Sequence, residues 1–178
     1  MFTVKGRIEG IAPFLYNRMI DPSVLDSGVS GAPQTKAERV AEASQRVYRN
    51  GHGLYVPAWN FKRCLLDGAK KGKIKISKTG LYDLLYATAF VQGDPVFGKD
   101  DPDFIHECVG RIPPKRGAAA IIRRPALSPG WSLPFELLIA DDRIPPESIR
   151  RALETAGLLV GIGAWRPEYG RFIVKEFS

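Results

Sequence analysis

The segment Gly161-Ile162-Gly163-Ala164-Trp165-Arg166-Pro167-Glu168-Tyr169-Gly170-Arg171-Phe172 constrains this chain more than any other. A helical pattern precedes it and a strand pattern follows it. Glycine lets one backbone approach another closely and lets φ turn positive. Trp165 and Tyr169 offer faces on which a base can stack, and Arg166 and Arg171 offer charge for phosphate. A loop of this composition between two regular elements reads first as a ligand loop and second as a turn.

The rest of the composition sets the class. The chain has 178 residues, which suits one domain, with room for inserted lobes. Hydrophobic residues make up 44%, enough for a core. Lys and Arg number 26 against 19 Asp and Glu, a net charge of +7 that favours a polyanionic partner. Cys64 and Cys108 lie far apart with no CxxC spacing, so reduced thiols in a cytoplasmic protein are expected, and a disulfide has little support. The N-terminal residues do not read as a signal peptide. No run of about 18 apolar residues exists, so no membrane span is expected.

Residues 2–11 alternate apolar and polar and predict a strand with one buried face, with Gly6 as a candidate bulge. Residues 12–34 read as irregular. Thr35 and Glu38 fit a capping box for a helix over residues 37–48, with strand character competing near Val47 and Tyr48. Asn50-Gly51 is a hairpin dipeptide, with residues 53–56 as the return strand. Residues 57–71 predict a helix with Pro57 in its first turn. Residues 70–78 are basic and alternating, residues 81–91 predict a second helix, and residues 92–117 read as an excursion rich in Gly, Pro and charge. Strands are predicted over 118–127 and 131–140, where Pro134 warns of an edge or bulge. Pro145-Pro146-Glu147 opens a helix to Ala156, capped by Gly157. Residues 172–177 form the last strand. The order is that of an α+β protein, an antiparallel sheet with helices on one face.

Three segments carry a family resemblance. They are the opening strand FTVKGRIEGI, the segment from Leu54 to Leu66 in which a Pro-containing turn leads into the first core helix, and GIGAWRPEYGRF. In these the chain resembles the RAMP superfamily, whose members form CRISPR effector backbones and include some CRISPR RNA nucleases. The resemblance implies a ferredoxin-like (RRM-like) core of four antiparallel strands and two helices. It also implies binding of single-stranded RNA or DNA and self-association along the strand, beside other CRISPR proteins. Residues 12–34 and 92–117 are then candidate inserted lobes that grip a neighbour's stretch of nucleic acid. A relative on a phage or other mobile element, with phage partners, fits the resemblance equally.

Three clusters are candidate nucleic-acid contacts. In the glycine loop these are Trp165, Arg166, Tyr169 and Arg171, against the plainer reading that the aromatics pack on the sheet. The second cluster is Asn60, Lys62, Arg63, Lys70 and Lys71, continuing into Lys73, Lys75 and Lys78. Residues 62–78 hold seven basic side chains and one acid, Asp67. Such a run is a backbone track or simply a solvated face. The third cluster is Arg111, Lys115, Arg116, Arg123 and Arg124, a basic finger or a surface hairpin. His52 and His106 are the only histidines. His52 sits between glycines, where an imidazole can act as acid or base, but no companion nucleophile is evident. His106 lacks further ligands at metal spacing. No nucleotide, hydrolase or metalloprotease motif is present, and no cofactor is expected. The leading expectation is a non-catalytic single-strand binder. The alternatives are a metal-independent endoribonuclease using His52, and a phage structural or inhibitory protein that uses the fold for protein contacts.

Overall fold

The computed structural model describes residues 1–19, 35–111 and 119–178. Alternation in the first residues builds β1 (Phe2–Gly10), in which Val4 and Ile8 are buried while Thr3 and Lys5 face solvent. There follow β2 (Phe14–Leu15), α1 (Lys36–Ser44), a small hairpin of β3 (Arg49–Asn50) and β4 (Gly53–Leu54), and α2 (Ala58–Lys71). A second small hairpin, β5 (Lys75–Ile76) and β6 (Thr79–Gly80), leads to α3 (Leu81–Thr88) and β7 (Ala89–Val91). Then come β8 (Phe104–Arg111), β9 (Ala119–Leu127), β10 (Ser132–Ile139), α4 (Pro146–Leu159) and β11 (Phe172–Phe177). The protein is therefore α+β, with antiparallel sheets and four helices among the described residues.

The main sheet has the order β11-β1-β10-β7, antiparallel throughout. Phe61, Leu65 and Leu66 of α2 and Ile149, Leu153 and Ala156 of α4 share one core with Val4, Ile8, Leu133, Leu137 and Ile139 of the sheet. The polar positions of the strands pair with each other: Lys5 Nζ lies 3.1 Å from Glu136 and Lys175 Nζ 3.4 Å from Glu9, and Arg7 pairs with Glu176. A second sheet, β2-β9-β8, is joined to the core by Trp131, whose Nε1 donates to the Ala12 carbonyl at 2.8 Å. Cys64 and Cys108 are free thiols. Among the described residues, no helix is long and apolar enough to cross a membrane.

The capping box forms: Thr35 Oγ1 accepts from the Glu38 amide and Glu38 Oε2 accepts from the Thr35 amide, at 3.2 and 2.6 Å. Its helix ends at Ser44, earlier than the composition suggests. The register of β1 against β11 shifts between Arg7 and Ile8, beside Gly6. Pro134 lies in an interior strand, but β7 pairs only with Leu137–Ile139. Pro134 therefore has a neighbour on one side only, which spares the ladder a missing donor.

Elsewhere the structure differs from the sequence reading. Residues 81–91 are not one helix, because Ala89–Val91 pairs with the end of β10. The excursion over 92–117 contains β8, which pairs with β9 from Phe104↔Ala126 to Arg111↔Ala119. Gly157 does not cap α4 but lies inside it, and the helix runs on to Leu159. A Cβ on Gly157 would stand 2.1 Å from the Phe172 carbonyl oxygen, so the missing side chain lets α4 lie against β11.

Candidate nucleic-acid interface

Pro57 stands before the first turn of α2, and Asp94 Oδ1 accepts from the Ala58 amide at 2.7 Å, satisfying one of the free donors there. Asn60 and Arg63 are three residues apart and so share one face. That face meets the glycine loop. The loop is tied to the body by backbone hydrogen bonds from Ala164 to Leu15 and from Gly170 to Pro13, at 2.9 and 2.8 Å. It is tied to α2 by Cys64, whose Sγ donates to the Gly161 carbonyl at 3.3 Å. Burial pushes the Cys64 thiol up to about 12, so it stays protonated and able to donate.

Between α2, the loop and the residues around β2 opens a cavity of about 300 Å³. Its polar lining comes from Asn17, Tyr48, Asn60, Arg63 and Arg166, beside the exposed backbone of Gly163. Asp67 organises the two arginines. Arg63 Nε lies 3.2 Å from Asp67 Oδ1, and Arg166 Nη1 lies 3.9 Å from Asp67 Oδ2. One carboxylate thus holds two guanidiniums at one cavity and leaves the trio with one net positive charge. Guanidinium groups suit phosphate because their N–H donors form a planar fork.

The other loop residues face the β8–β9 hairpin. The Arg124 guanidinium lies 4.6 Å from the centre of the Trp165 ring. His106 stands opposite Arg124 in the hairpin register, and its Nε2 is 3.2 Å from the Tyr169 hydroxyl. The His106 ring meets Trp165 and Tyr169 edge-on, at 5.9 and 5.0 Å between centres. One face of Trp165 is therefore occupied by an arginine of the same chain. Trp165 holds a left-handed φ of 55°, a strained conformation for a side-chain-bearing residue that these contacts sustain. Trp165→Ala should lower stability by roughly 1–3 kcal/mol through loss of the cation–π and edge contacts. Thermal melting checks this, and Trp165→Phe should recover part of the loss.

The three sequence clusters are thus partly brought together. Asn60, Arg63 and Arg166 meet at the cavity, while Arg124, Trp165 and Tyr169 form the adjoining hairpin–loop contact. Arg123 pairs with Glu107 at 2.8 Å, with its side chain only 9% exposed. Arg171 is exposed beside the buried Phe172, and its carbonyl accepts from Ile11 and Ala12. Lys62 points away from the cavity and donates to the Tyr86 carbonyl at 2.9 Å, and burial lowers its pKa. Lys70 and Lys71 lie at the far end of α2, about 15 Å along the axis from Asn60. Lys73, Lys75 and Lys78 are exposed beyond them. Lys115 and Arg116 lie outside the described residues, and of Arg111 only the backbone pairing is described. His52 is exposed on the β3–β4 turn, where its amide donates to Asn50 Oδ1 at 2.8 Å.

Asn17 and Tyr48 carry no local signal in the sequence that marks them for the cavity. Asp67 stands out there only as the single acid in a basic run. Its spacing of four from Arg63 was the available clue. Among the described residues, no three His, Cys, Asp or Glu side chains group so as to hold a metal ion. No protein-family model matches the chain, and no curated protein matches its sequence.

Proposed function

We propose that this protein binds single-stranded nucleic acid without cleaving it, and that it is a RAMP-type protein with a ferredoxin-like core. Two features support the fold assignment. The elements of the main layer run β1, α2, β7, β10, α4, β11, a strand-helix-strand-strand-helix-strand order. In the sheet the fourth of these strands lies beside the first, then the third, then the second. The glycine loop sits between the last helix and the last strand, where the resemblance places it.

The observation that carries the ligand class is the cavity where Arg63 and Arg166 converge from separate elements, with Tyr48 and the exposed Gly163 backbone beside them. This is the chemistry of a phosphodiester site next to an aromatic ring. Among the described residues lining it there is no His, Cys, Ser or carboxylate, so these residues offer no nucleophile with its base. The β8–β9 hairpin gives surface for contact with a second copy, so several copies are expected on a long strand.

Titration of fluorescently labelled single-stranded RNA and DNA over a series of salt concentrations tests the reading. Log affinity should fall linearly with log salt, by about 0.7 for each neutralised phosphate. Light scattering on a long strand should show more than one copy. Flat affinity across the series, or RNA cut by the protein and spared by His52→Ala, would overturn the proposal.

A further inference from the structure

The first turn of α2 has a second exposed side. At about 100° per residue, Trp59 falls between Arg63 on one flank and Lys62 on the other. Arg63 faces the cavity. Lys62 reaches the opposite way, with its Nζ 5.7 Å from the centre of the Tyr86 ring and 5.4 Å from that of Phe90. Trp59, Tyr86 and Phe90 are large aromatics left 55%, 55% and 48% exposed. Tyr82 lies one turn before Tyr86 with its ring nearly parallel, at 14°, and the Lys70 ammonium is 5.9 Å from its centre. Soluble proteins rarely leave such a group of aromatics in water without a use.

We infer that this surface is a base-stacking platform for the single strand whose phosphate occupies the Arg63–Arg166 cavity. The inference rests on the proposed function of that cavity. Three properties select nucleic acid as the occupant. The aromatics are accompanied by the ammonium groups of Lys62 and Lys70, which complement phosphate. Trp59 stands one helical turn from both Lys62 and Arg63 on α2, so one strand can put a phosphate at Arg63 and a base on the indole. Lys62 is held by the Tyr86 carbonyl and lies over one side of the Tyr86 and Phe90 rings, which fixes its charge within the aromatic group. Stacking of this kind tolerates any base, because every base presents a π-face. The contact length therefore exceeds that of the cavity alone.

The test uses the full chain with Trp59→Ala, Tyr86→Ala and Arg63→Ala, and fluorescein-labelled oligouridylates and oligothymidylates of about 4 and about 12 nucleotides. These aromatics are exposed, so melting temperatures should stay close to that of the parent protein. Each aromatic variant should weaken binding of the longer oligonucleotide roughly 5- to 150-fold, the range for loss of one stacked base. Binding of the shorter one should also be weakened by Trp59→Ala, because the indole stands one helical turn from Arg63, but should change little in Tyr86→Ala, and Trp59→Phe should retain most of the affinity. Arg63→Ala should weaken binding of both. If Arg63→Ala weakens binding while both aromatic variants bind the longer oligonucleotide normally, the platform is refuted and the cavity stands. If the aromatic variants instead lose self-association with unchanged oligonucleotide affinity, the surface docks a second copy and the inference is wrong. If no variant changes affinity, cavity and platform fall together.

Discussion

Gly170→Ala should lower the melting temperature by about 6–20 °C and weaken the nucleic-acid binding proposed for this protein. Gly170 has φ 71°, and a Cβ there would stand 1.7 Å from the Ile162 carbonyl oxygen. The obstacle is backbone, which has no rotamer by which to escape. The same residue donates its amide to Pro13 and accepts from Ile162 through its carbonyl. Shifting it disturbs both bonds that close the loop. The left-handed backbone costs an alanine roughly 1–2 kcal/mol, and the overlap with lost hydrogen bonding brings the total to about 3–5 kcal/mol. For a chain of this length each kcal/mol moves the midpoint by about 2–4 °C. Gly93→Ala is the control. Its φ is 72°, but nothing lies within 4 Å of its would-be Cβ. It should show the conformational cost alone and bind normally. Equal melting of the two variants would show that the close approach at Gly170 does not matter. Because the loop supplies the Gly163 and Arg166 wall of the cavity, binding should fall with the fold only in Gly170→Ala.

Those parts of the fold whose own side chains state their environment were legible in the sequence. β1 and β10 alternate, and α4 places Ile149, Ala152, Leu153 and Ala156 on one stripe, so each declares its buried face without help. β7 does not. Ala89, Phe90 and Val91 continue an apolar run that suits a helix, and only the free edge of β10 turns them into a strand. β8 was obscured by the glycines, prolines and charges around it, and its apolar residues fall in adjacent pairs, Phe104-Ile105 and Cys108-Val109, instead of alternating. Gly157 reads as a cap from its type. Its real role depends on β11, which lies beyond the end of the helix. The site follows the same rule. Arg63 and Arg166 were visible as charge, but their meeting depends on how α2 and the loop dock through Cys64 and Leu15. Lys62 and Arg63 look equivalent as neighbours in a basic run. Their side chains leave the helix about 100° apart, which sends one to the aromatics and one to the cavity.

Arg63→Ala combined with Arg166→Ala should weaken single-strand binding by on the order of 2–4 kcal/mol, roughly 30- to 1000-fold at low salt. Both guanidiniums are more than a third exposed or close to it, at 48% and 35%, and their pairing with Asp67 is of the surface kind. Such pairs contribute about 0–1 kcal/mol to folding, so melting should hardly change. Loss of the one phosphate held at the cavity should also flatten the salt dependence, by about 0.7 in the slope of log affinity against log salt. Asp67 gives the decisive comparison. In the double variant the Asp67 carboxylate, one turn along α2 from Arg63 and outside the cavity lining, is left without either guanidinium and repels phosphate. Adding Asp67→Asn should therefore recover part of the affinity but none of the lost slope, because repulsion is removed and no contact is restored. In the parent protein the same Asp67→Asn has the opposite balance. It removes repulsion and also the carboxylate that aims both arginines, so affinity should rise less than charge alone would give. Unchanged affinity and slope in the double variant would place the phosphate site elsewhere on the molecule. A drop in melting temperature equal to that of Gly170→Ala would show that the two arginines serve the loop and not a ligand.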